Sequence, residues 1–177
     1  MTFIPRRWPA KVPRRFIALD VRITHRLARY GVLISRLGLG VVFLWFGVLK
    51  FFPGLSPAQE LAGRTIEVLS LGLVGPEISL PVLAAWESLI GLGLLSGRFL
   101  RATLFLLAAQ MVGTLTPLFL FPGEVFTQIP YAPTLEGQYI IKNIVLIGAA
   151  MVVGATVRGG AVVADPAPRR ADGFPGG

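Results

Sequence analysis

The chain has 177 residues, of which 54% are hydrophobic and only 15% are charged, and its net charge is +8. This composition is too apolar for an ordinary soluble domain and predicts an integral membrane protein whose helices pack against one another. The sequence contains no cysteine and one histidine, His25, so disulfides, thiolate nucleophiles, Cys-ligated clusters and multi-histidine metal or haem sites are excluded within this chain.

Residues 1–29 form a basic N-terminal arm, because eight of the 17 basic residues precede Tyr30. A basic cluster beside a membrane span more often contacts anionic lipid than nucleic acid, so we expect the lipid bilayer as a partner and no nucleic acid. Apolar residues near helical spacing between 14 and 30 predict a basic amphipathic helix on the inner membrane surface, although a flexible arm fits the same pattern. The residues expected at the membrane surface are Arg14, Arg15, Arg22, Arg26 and Arg29.

Four apolar runs follow the arm, at residues 30–52, 79–97, 99–121 and 138–157. Each has about the 20 residues that a helix needs to cross the hydrocarbon, and each must be helical because a lone strand leaves its backbone unsatisfied in lipid. The predicted fold is therefore all-α, a four-helix transmembrane bundle with an N-terminal amphipathic interfacial helix. The membrane domain covers 30–157, and the Pro-, Gly- and Arg-rich tail at 158–177 is predicted to be disordered.

The connections between the spans alternate in charge. The N-terminal arm, the turn with Arg98 and Arg101, and the tail that begins with Arg158 are basic, whereas the other two loops are mainly acidic. Because cytoplasmic segments carry the excess of Lys and Arg, both termini are predicted to be cytoplasmic in a multi-pass protein of the plasma or inner membrane.

Three ionisable residues, Lys50, Glu87 and Lys142, lie inside or at the edge of the predicted spans. A charge in hydrocarbon costs about 2.5–3.5 kcal/mol, so such residues persist when they face a protein interior, pair with a partner or serve a function. Helical spacing places each of them, and Gln110, on a stripe with small residues that favours the centre of the bundle. Counting the rise per residue predicts that the four side chains converge in the outer half of the membrane.

Short motifs in these spans resemble those of DoxX-like proteins. The segment 36–51, with an arginine, an apolar run, then Gly47 and Lys50, is similar to their first span. Leu80-Pro81 through Trp86-Glu87 resembles their second span and its glutamate, and Ile141-Lys142-Asn143-Ile144 resembles the lysine–asparagine pair of their last span. The order and spacing of these motifs carry the resemblance over residues 33–157.

The resemblance implies a four-helix bundle of the inner membrane, in agreement with the spans above. One branch of the family includes the small membrane subunit of thiosulfate:quinone oxidoreductase. Other members are linked to membrane-associated oxidoreductase assemblies and to oxidative-stress handling, and many have no assigned reaction. The arm and the tail lie outside the resemblance.

One hypothesis for the charged residues is a site that contacts quinone, with no metal or haem. Lys50 and Lys142 would donate hydrogen bonds to a quinone carbonyl, Glu87 would exchange the accompanying proton, and Trp45 or Trp86 would lie against the ring. The alternative is that Glu87 pairs with the lysines only to fix helix register. The candidate residues for ligand binding or for a structural charge network are Lys50, Glu87, Lys142, Gln110, Trp45, Trp86 and Asn143.

The function predicted from these features is that of a membrane subunit of a redox-linked assembly that contacts quinone and works with a soluble or membrane oxidoreductase. The chain has no thiol pair and no evident haem or cluster ligands, so electrons would come from a partner or a bound organic cofactor. Two alternatives stay open, a non-catalytic anchor for a soluble oxidoreductase and a small transporter. The sequence does not decide whether the protein is an enzyme.

Overall fold

The computed structural model describes residues 14–52, 54–56 and 59–163. The regular secondary structure of this part of the chain is helical apart from one short hairpin, which the sequence did not predict. The elements are α1 Arg14–Leu49, α2 Gln59–Leu69, α3 Pro76–Ser96, α4 Leu100–Leu115, α5 Pro117–Leu120, α6 Pro122–Val125, β1 Phe126–Gln128, β2 Ala132–Pro133, α7 Leu135–Ile141 and α8 Asn143–Thr156.

The first helix, α1, is a single helix of 36 residues. At 1.5 Å per residue it is about 54 Å long, which exceeds the roughly 30 Å of hydrocarbon in a bilayer. The prediction of a separate interfacial helix in the N-terminal arm is therefore corrected, because the basic segment continues into the first span without a break. The reason is local: no proline or glycine occurs between Arg14 and Gly31 to interrupt the helix. Residues 1–13 of the arm and 164–177 of the tail lie outside the described residues.

Within the described residues, four helical segments are long and apolar enough to cross a membrane, and they confirm the predicted bundle of four spans. They cover Arg15–Leu49, Pro76–Ser96, Leu100–Leu120 and Leu135–Thr156.

Two of the four spans are interrupted. The third breaks between α4 and α5 because Pro117 has no N–H to donate, and the Gly113 carbonyl accepts instead from the Thr116 amide at 3.2 Å. The fourth breaks at Lys142, between α7 and α8.

The core of the bundle lies where α1, α3, α4 and α8 meet. Its buried apolar side chains are Leu39, Phe43, Ile90, Leu94, Leu107, Met111, Ala150 and Val153. The most extensive helix contact joins α1 to α3. Two glycines permit it: a Cβ at Gly91 would collide with the backbone of Leu44, and a Cβ at Gly47 would lie 2.7 Å from the Ser88 amide nitrogen. Small residues of this kind let helix backbones approach closely in a membrane.

One end of the bundle is covered by α2, α6 and the β1–β2 hairpin, which together are called the cap. A second apolar cluster of Leu61, Val125 and Ile140 joins the cap to α7. Thr134 fixes the start of α7, because its hydroxyl oxygen accepts from the Gly137 amide at 3.2 Å and its O–H donates to the Glu124 carbonyl at 2.7 Å. The cap therefore packs on the ends of the spans rather than lying as a free loop.

Candidate functional site

An ion pair between α1 and α3 forms the centre of the site. Lys50 follows the last residue of α1, and its Nζ lies 2.6 Å from Oε2 of Glu87 in α3. The two side chains are only 12% and 11% exposed. The close contact at Gly47 and Gly91 brings the two helices near enough for this pair, because both glycines lie within one turn of one of its members.

Gln110 of α4 completes a network across three helices. Its Nε2 donates to Oε1 of Glu87 at 3.0 Å, so each carboxylate oxygen of Glu87 accepts one hydrogen bond. Glu87 is buried, and a buried carboxylate is retained in a fold when it is paired and hydrogen-bonded. The network meets both of those conditions.

A cavity of about 450 Å³ opens beside this network, with walls from α2, α3, α4 and α7. Most of its wall is apolar, with contributions from Leu61, Ile66 and Leu83. Lys50, Glu87 and Gln110 form a polar part of the same wall. The volume falls in the range of pockets that take small organic ligands, and the combination of an apolar wall with a few polar groups is typical of such pockets.

A second cavity of about 150 Å³ shares Lys50, Glu87 and Gln110 with the first. Its remaining wall comes partly from α1, at Val42, Phe43 and Phe46, and partly from α8. The charge network therefore borders two spaces, a larger one toward α2 and α4 and a smaller one toward α1 and α8.

The two candidate tryptophans occupy different environments. Trp86 lines the larger cavity, and its Nε1 donates to the Leu106 carbonyl at 3.3 Å, which fixes the ring against α4. Trp45 is 66% exposed and lines neither cavity, because it faces away from the centre of the bundle on α1. Trp45 is accordingly not part of the arrangement around Glu87.

Lys142 and Asn143 lie at the junction of α7 and α8. Lys142 is exposed, and its Nζ lies 3.8 Å from the centre of the Tyr139 ring. It contributes to the wall of the smaller cavity, but within the described residues no ion pair joins it to Glu87. Asn143 lines both cavities, and its Nδ2 donates to the Tyr139 carbonyl at 3.0 Å.

The basic residues Arg15, Arg22, Arg26 and Arg29 are exposed along the first turns of α1. Arg15 lies over the neighbouring Phe16 ring, 5.4 Å from its centre, and Arg29 lies over Tyr30 at 5.5 Å. None of these residues lies near the cavities, so they belong to a separate surface of the protein.

Several residues of the larger cavity were not among the sequence candidates. Ser79, Thr65 and Thr114 are polar groups in its wall. A signal for Ser79 was present, because it precedes Glu87 by eight residues and so shares its helix face. Thr65 carried no such signal, since only the folding of α2 over the bundle brings it to the cavity.

Comparison with protein families matches residues 31–122 of the chain to DoxX. No match was found among curated proteins, and none among solved structures. The matched segment contains Lys50, Glu87 and Gln110, whereas Lys142 and Asn143 lie beyond it. Because the match covers more than half of the 177 residues, the chain belongs to the DoxX family.

Proposed function

We propose that this DoxX-family membrane protein is a subunit of a redox-linked assembly and contacts a quinone at Lys50, Glu87 and Gln110. The observation that supports the proposal is the apolar cavity of about 450 Å³ with one buried charge network in its wall. Quinones are apolar molecules whose only strong acceptors are their carbonyl oxygens, and a site for them needs few donors in an otherwise apolar pocket.

The donors of the network exceed what the network itself uses. An ammonium group carries three N–H donors and a carboxamide carries two. Lys50 gives one hydrogen bond to Glu87, and Gln110 gives another. Both side chains line the cavity, so each has donor capacity for an acceptor placed there. The donor set fits a carbonyl oxygen.

A bound quinone would supply two-electron chemistry coupled to protons, which the side chains of this protein lack. Lys50 and Gln110 would hold the carbonyl oxygen by hydrogen bonds. Glu87 would hold a proton at a carboxylate oxygen beside that carbonyl and pass it across a hydrogen bond. Trp86 would restrict the ring from the side of α3, since it lines the cavity and is fixed on α4 by its own hydrogen bond.

Electrons would come from a soluble or membrane oxidoreductase partner, because no cysteine pair occurs in the sequence. We propose that both termini are cytoplasmic, on the strength of the basic residues in the arm and at Arg98, Arg101 and Arg158. The cap and the charge network then lie in the extracytoplasmic half of the membrane.

The test is to purify the full chain in mild detergent from a host that makes quinone and to quantify solvent-extracted quinone per protein. Wild type is expected to carry quinone, and Glu87→Gln and Lys50→Met are expected to carry at least about 5-fold less, because each loses a charge-assisted hydrogen bond at the site.

Tryptophan provides the matched control for this test. Trp86→Leu changes the cavity wall, whereas Trp45→Leu changes an exposed surface of α1. Quinone content should fall in the first variant and stay at the wild-type level in the second. Quinone content that is absent from wild type, or equal in all four variants, would refute the proposal. Retention of a co-purifying oxidoreductase without quinone would favour an anchor, and proton flux in liposomes that Glu87→Gln abolishes would favour a transporter.

A further inference from the structure

The larger cavity is open to the outside of the bundle on one side. Three apolar residues of its wall are also exposed. Leu69 of α2 is 55% exposed and Val82 of α3 is 57% exposed, and Ala109 of α4 is exposed as well. Because these residues belong both to the wall of the cavity and to the outer surface, the cavity reaches the surface where they lie.

A hydrogen bond marks where the opening between α3 and α4 begins. Nε1 of Trp86 in α3 donates to the Leu106 carbonyl of α4 at 3.3 Å, which holds the two helices together at that level. Val82 lies one helical turn before Trp86 on α3. Ala109 lies one turn after Leu106 on α4. Because consecutive spans run in opposite directions, Val82 and Ala109 flank the gap on the same side of this hydrogen bond.

The protein leaves this gap unfilled beside α4. Gly113 lies one turn beyond Ala109 and lines the cavity, and a Cβ at Gly113 would have no neighbour within 4 Å among the residues that the structure describes. Glycines at close helix contacts have no such room, since a Cβ at Gly91 would collide with the backbone of Leu44. The gap beside Val82, Ala109 and Gly113 is called the side opening.

The side opening lies at the level of the hydrocarbon. Val82 is about 9 Å from the nearer end of its span, Pro76–Ser96, and Ala109 is about 14 Å from the nearer end of its span, Leu100–Leu120. The hydrocarbon of a bilayer is about 30 Å thick, so both residues lie among lipid chains rather than in water. An apolar substituent of a bound molecule can therefore pass from the cavity directly into the bilayer.

We propose that the ligand of the larger cavity carries a long apolar chain that leaves between α3 and α4, past Val82 and Ala109, into the bilayer. The inference rests on the proposed function and adds to it the ligand class, a quinone with an isoprenoid chain that is taken from the membrane. Its uncharged ring needs only the donors of the charge network, and its chain matches the apolar side opening. A phospholipid fits less well, because burying its charged head in a largely apolar cavity is costly.

The experiment compares two probes that differ only in the chain. One is a menaquinone with a chain of four isoprene units, and the other is dimethylnaphthoquinone, the same ring with a methyl group in place of the chain. Dissociation constants are measured on the full chain in nanodiscs, from the quinone extracted per protein in a titration after subtraction of empty nanodiscs.

Ala109→Trp places an indole in the side opening. It is expected to weaken the menaquinone by at least about 5-fold, because the indole and the isoprenoid chain would occupy the same space. It should leave dimethylnaphthoquinone unchanged, because that ring stays inside the cavity. Val82→Trp narrows the opening from the side of α3 and is expected to have the same effect, so the test does not depend on the folding of a single variant.

Ala108→Trp is the matched control. Ala108 is the same residue type at the adjacent position of α4, and it is also exposed, but it lines neither of the cavities that border the charge network. Its replacement is expected to leave both probes unchanged. A loss of menaquinone affinity in Ala108→Trp equal to that in Ala109→Trp would mean that the effect is structural and would overturn the inference.

Failure of this inference differs from failure of the proposed function. If Ala109→Trp and Val82→Trp bind the menaquinone like wild type while Glu87→Gln weakens both probes, the chain does not leave between α3 and α4, but the quinone site stands. Equal weakening of both probes by Ala109→Trp would show that the indole disturbs the cavity itself, which would also overturn the inference. If wild type binds neither probe, both proposals are wrong.

Discussion

At the scale of single residues, the two lysines of the membrane domain lie in different surroundings. Lys50 is 12% exposed and pairs with Glu87, whereas Lys142 is exposed and lies over the Tyr139 ring. A lysine stem is long and flexible, so its charged head can reach water or an aromatic face when the helix position allows it. The two positions therefore differ in what their loss should cost.

Removing Lys50 is predicted to destabilise the protein more than removing Lys142. In Lys50→Met the buried Glu87 loses its ion pair, and breaking such a pair costs about 3–5 kcal/mol. Adding Glu87→Gln to Lys50→Met removes the uncompensated charge and should recover most of the loss. Lys142→Met should cost less than about 1 kcal/mol, because an exposed cation over an aromatic ring contributes little. The test is the free energy of unfolding, measured by denaturant titration in detergent. It is determined for wild type, for Lys50→Met, for Lys142→Met and for the double variant.

Two results would contradict this prediction. If Lys50→Met is no less stable than Lys142→Met, the ion pair with Glu87 does not contribute to the free energy of unfolding. If the double variant is less stable than Lys50→Met alone, the charge on Glu87 is not what makes the single change costly. The quinone content of the double variant separates stability from binding. This variant is expected to regain most of its stability, but Glu87 and Lys50 have both lost their charge, so its quinone content should stay low.

At the scale of helices, the contact between α1 and α3 is what assembles the site. Lys50 and Glu87 are 37 residues apart in sequence and meet because Gly47 and Gly91 let their helices pack closely. The fold of these helices was predictable from their apolar runs, and so was the convergence of stripes that carry small residues. The actual register was not, because several pairings of two glycine-containing stripes satisfy the same pattern and only close packing selects one.

Alanine at Gly91 is predicted to destabilise the protein, and alanine at Gly148 is not. A Cβ at Gly91 would collide with the backbone of Leu44, whereas a Cβ at Gly148 has no neighbour within 4 Å. Overpacking costs about 1–3 kcal/mol, which exceeds the gain of up to about 1 kcal/mol from replacing glycine in a helix. Gly148→Ala should therefore be neutral or slightly stabilising. Unfolding free energies measured side by side test this, and equal effects of the two changes would contradict the packing argument.

The first helix, α1, is continuous where the sequence predicted a separate helix on the membrane surface. The basic residues of 14–30 predicted a helix lying on the membrane surface, and the structure has instead one continuous α1 from Arg14 to Leu49. Charge and amphipathicity predict that a helix has a polar face, but they do not predict where it bends. A bend requires a proline, a glycine or an inserted side chain, and this stretch has neither proline nor glycine.

At the scale of the whole molecule, the positions of the basic segments predict the orientation in the membrane. The sequence has no cysteine, so single cysteines report on topology without background. Ser96→Cys places a thiol at the exposed end of α3, and Gln128→Cys places one in the exposed hairpin of the cap. In intact cells, a membrane-impermeant maleimide should label Gln128→Cys and should label Ser96→Cys only after the inner membrane is opened. The reverse pattern would place both termini outside.

The cap shows where prediction from sequence stops for the molecule as a whole. The β1–β2 hairpin and the packing of Leu61 against Val125 and Ile140 were not predicted from the sequence. The contacts of Leu61 with Val125 and Ile140 join segments that are more than 60 residues apart, and no local pattern encodes such a pairing. The cap nevertheless matters to the site, because α2 supplies one wall of the larger cavity.

The sequence by itself determined that this protein is a four-span helical bundle and that Lys50, Glu87 and Gln110 face its interior. Hydrocarbon forces long apolar helices and penalises charges that face lipid, so length, composition and helical spacing are sufficient for both conclusions. Only the tertiary structure decided that Lys50 rather than Lys142 pairs with Glu87, that Trp86 rather than Trp45 lines the cavity, and that Ser79 shares it. Those choices depend on helix register and on the placement of α2, which arise from close packing between distant segments and leave no periodic signal in the chain.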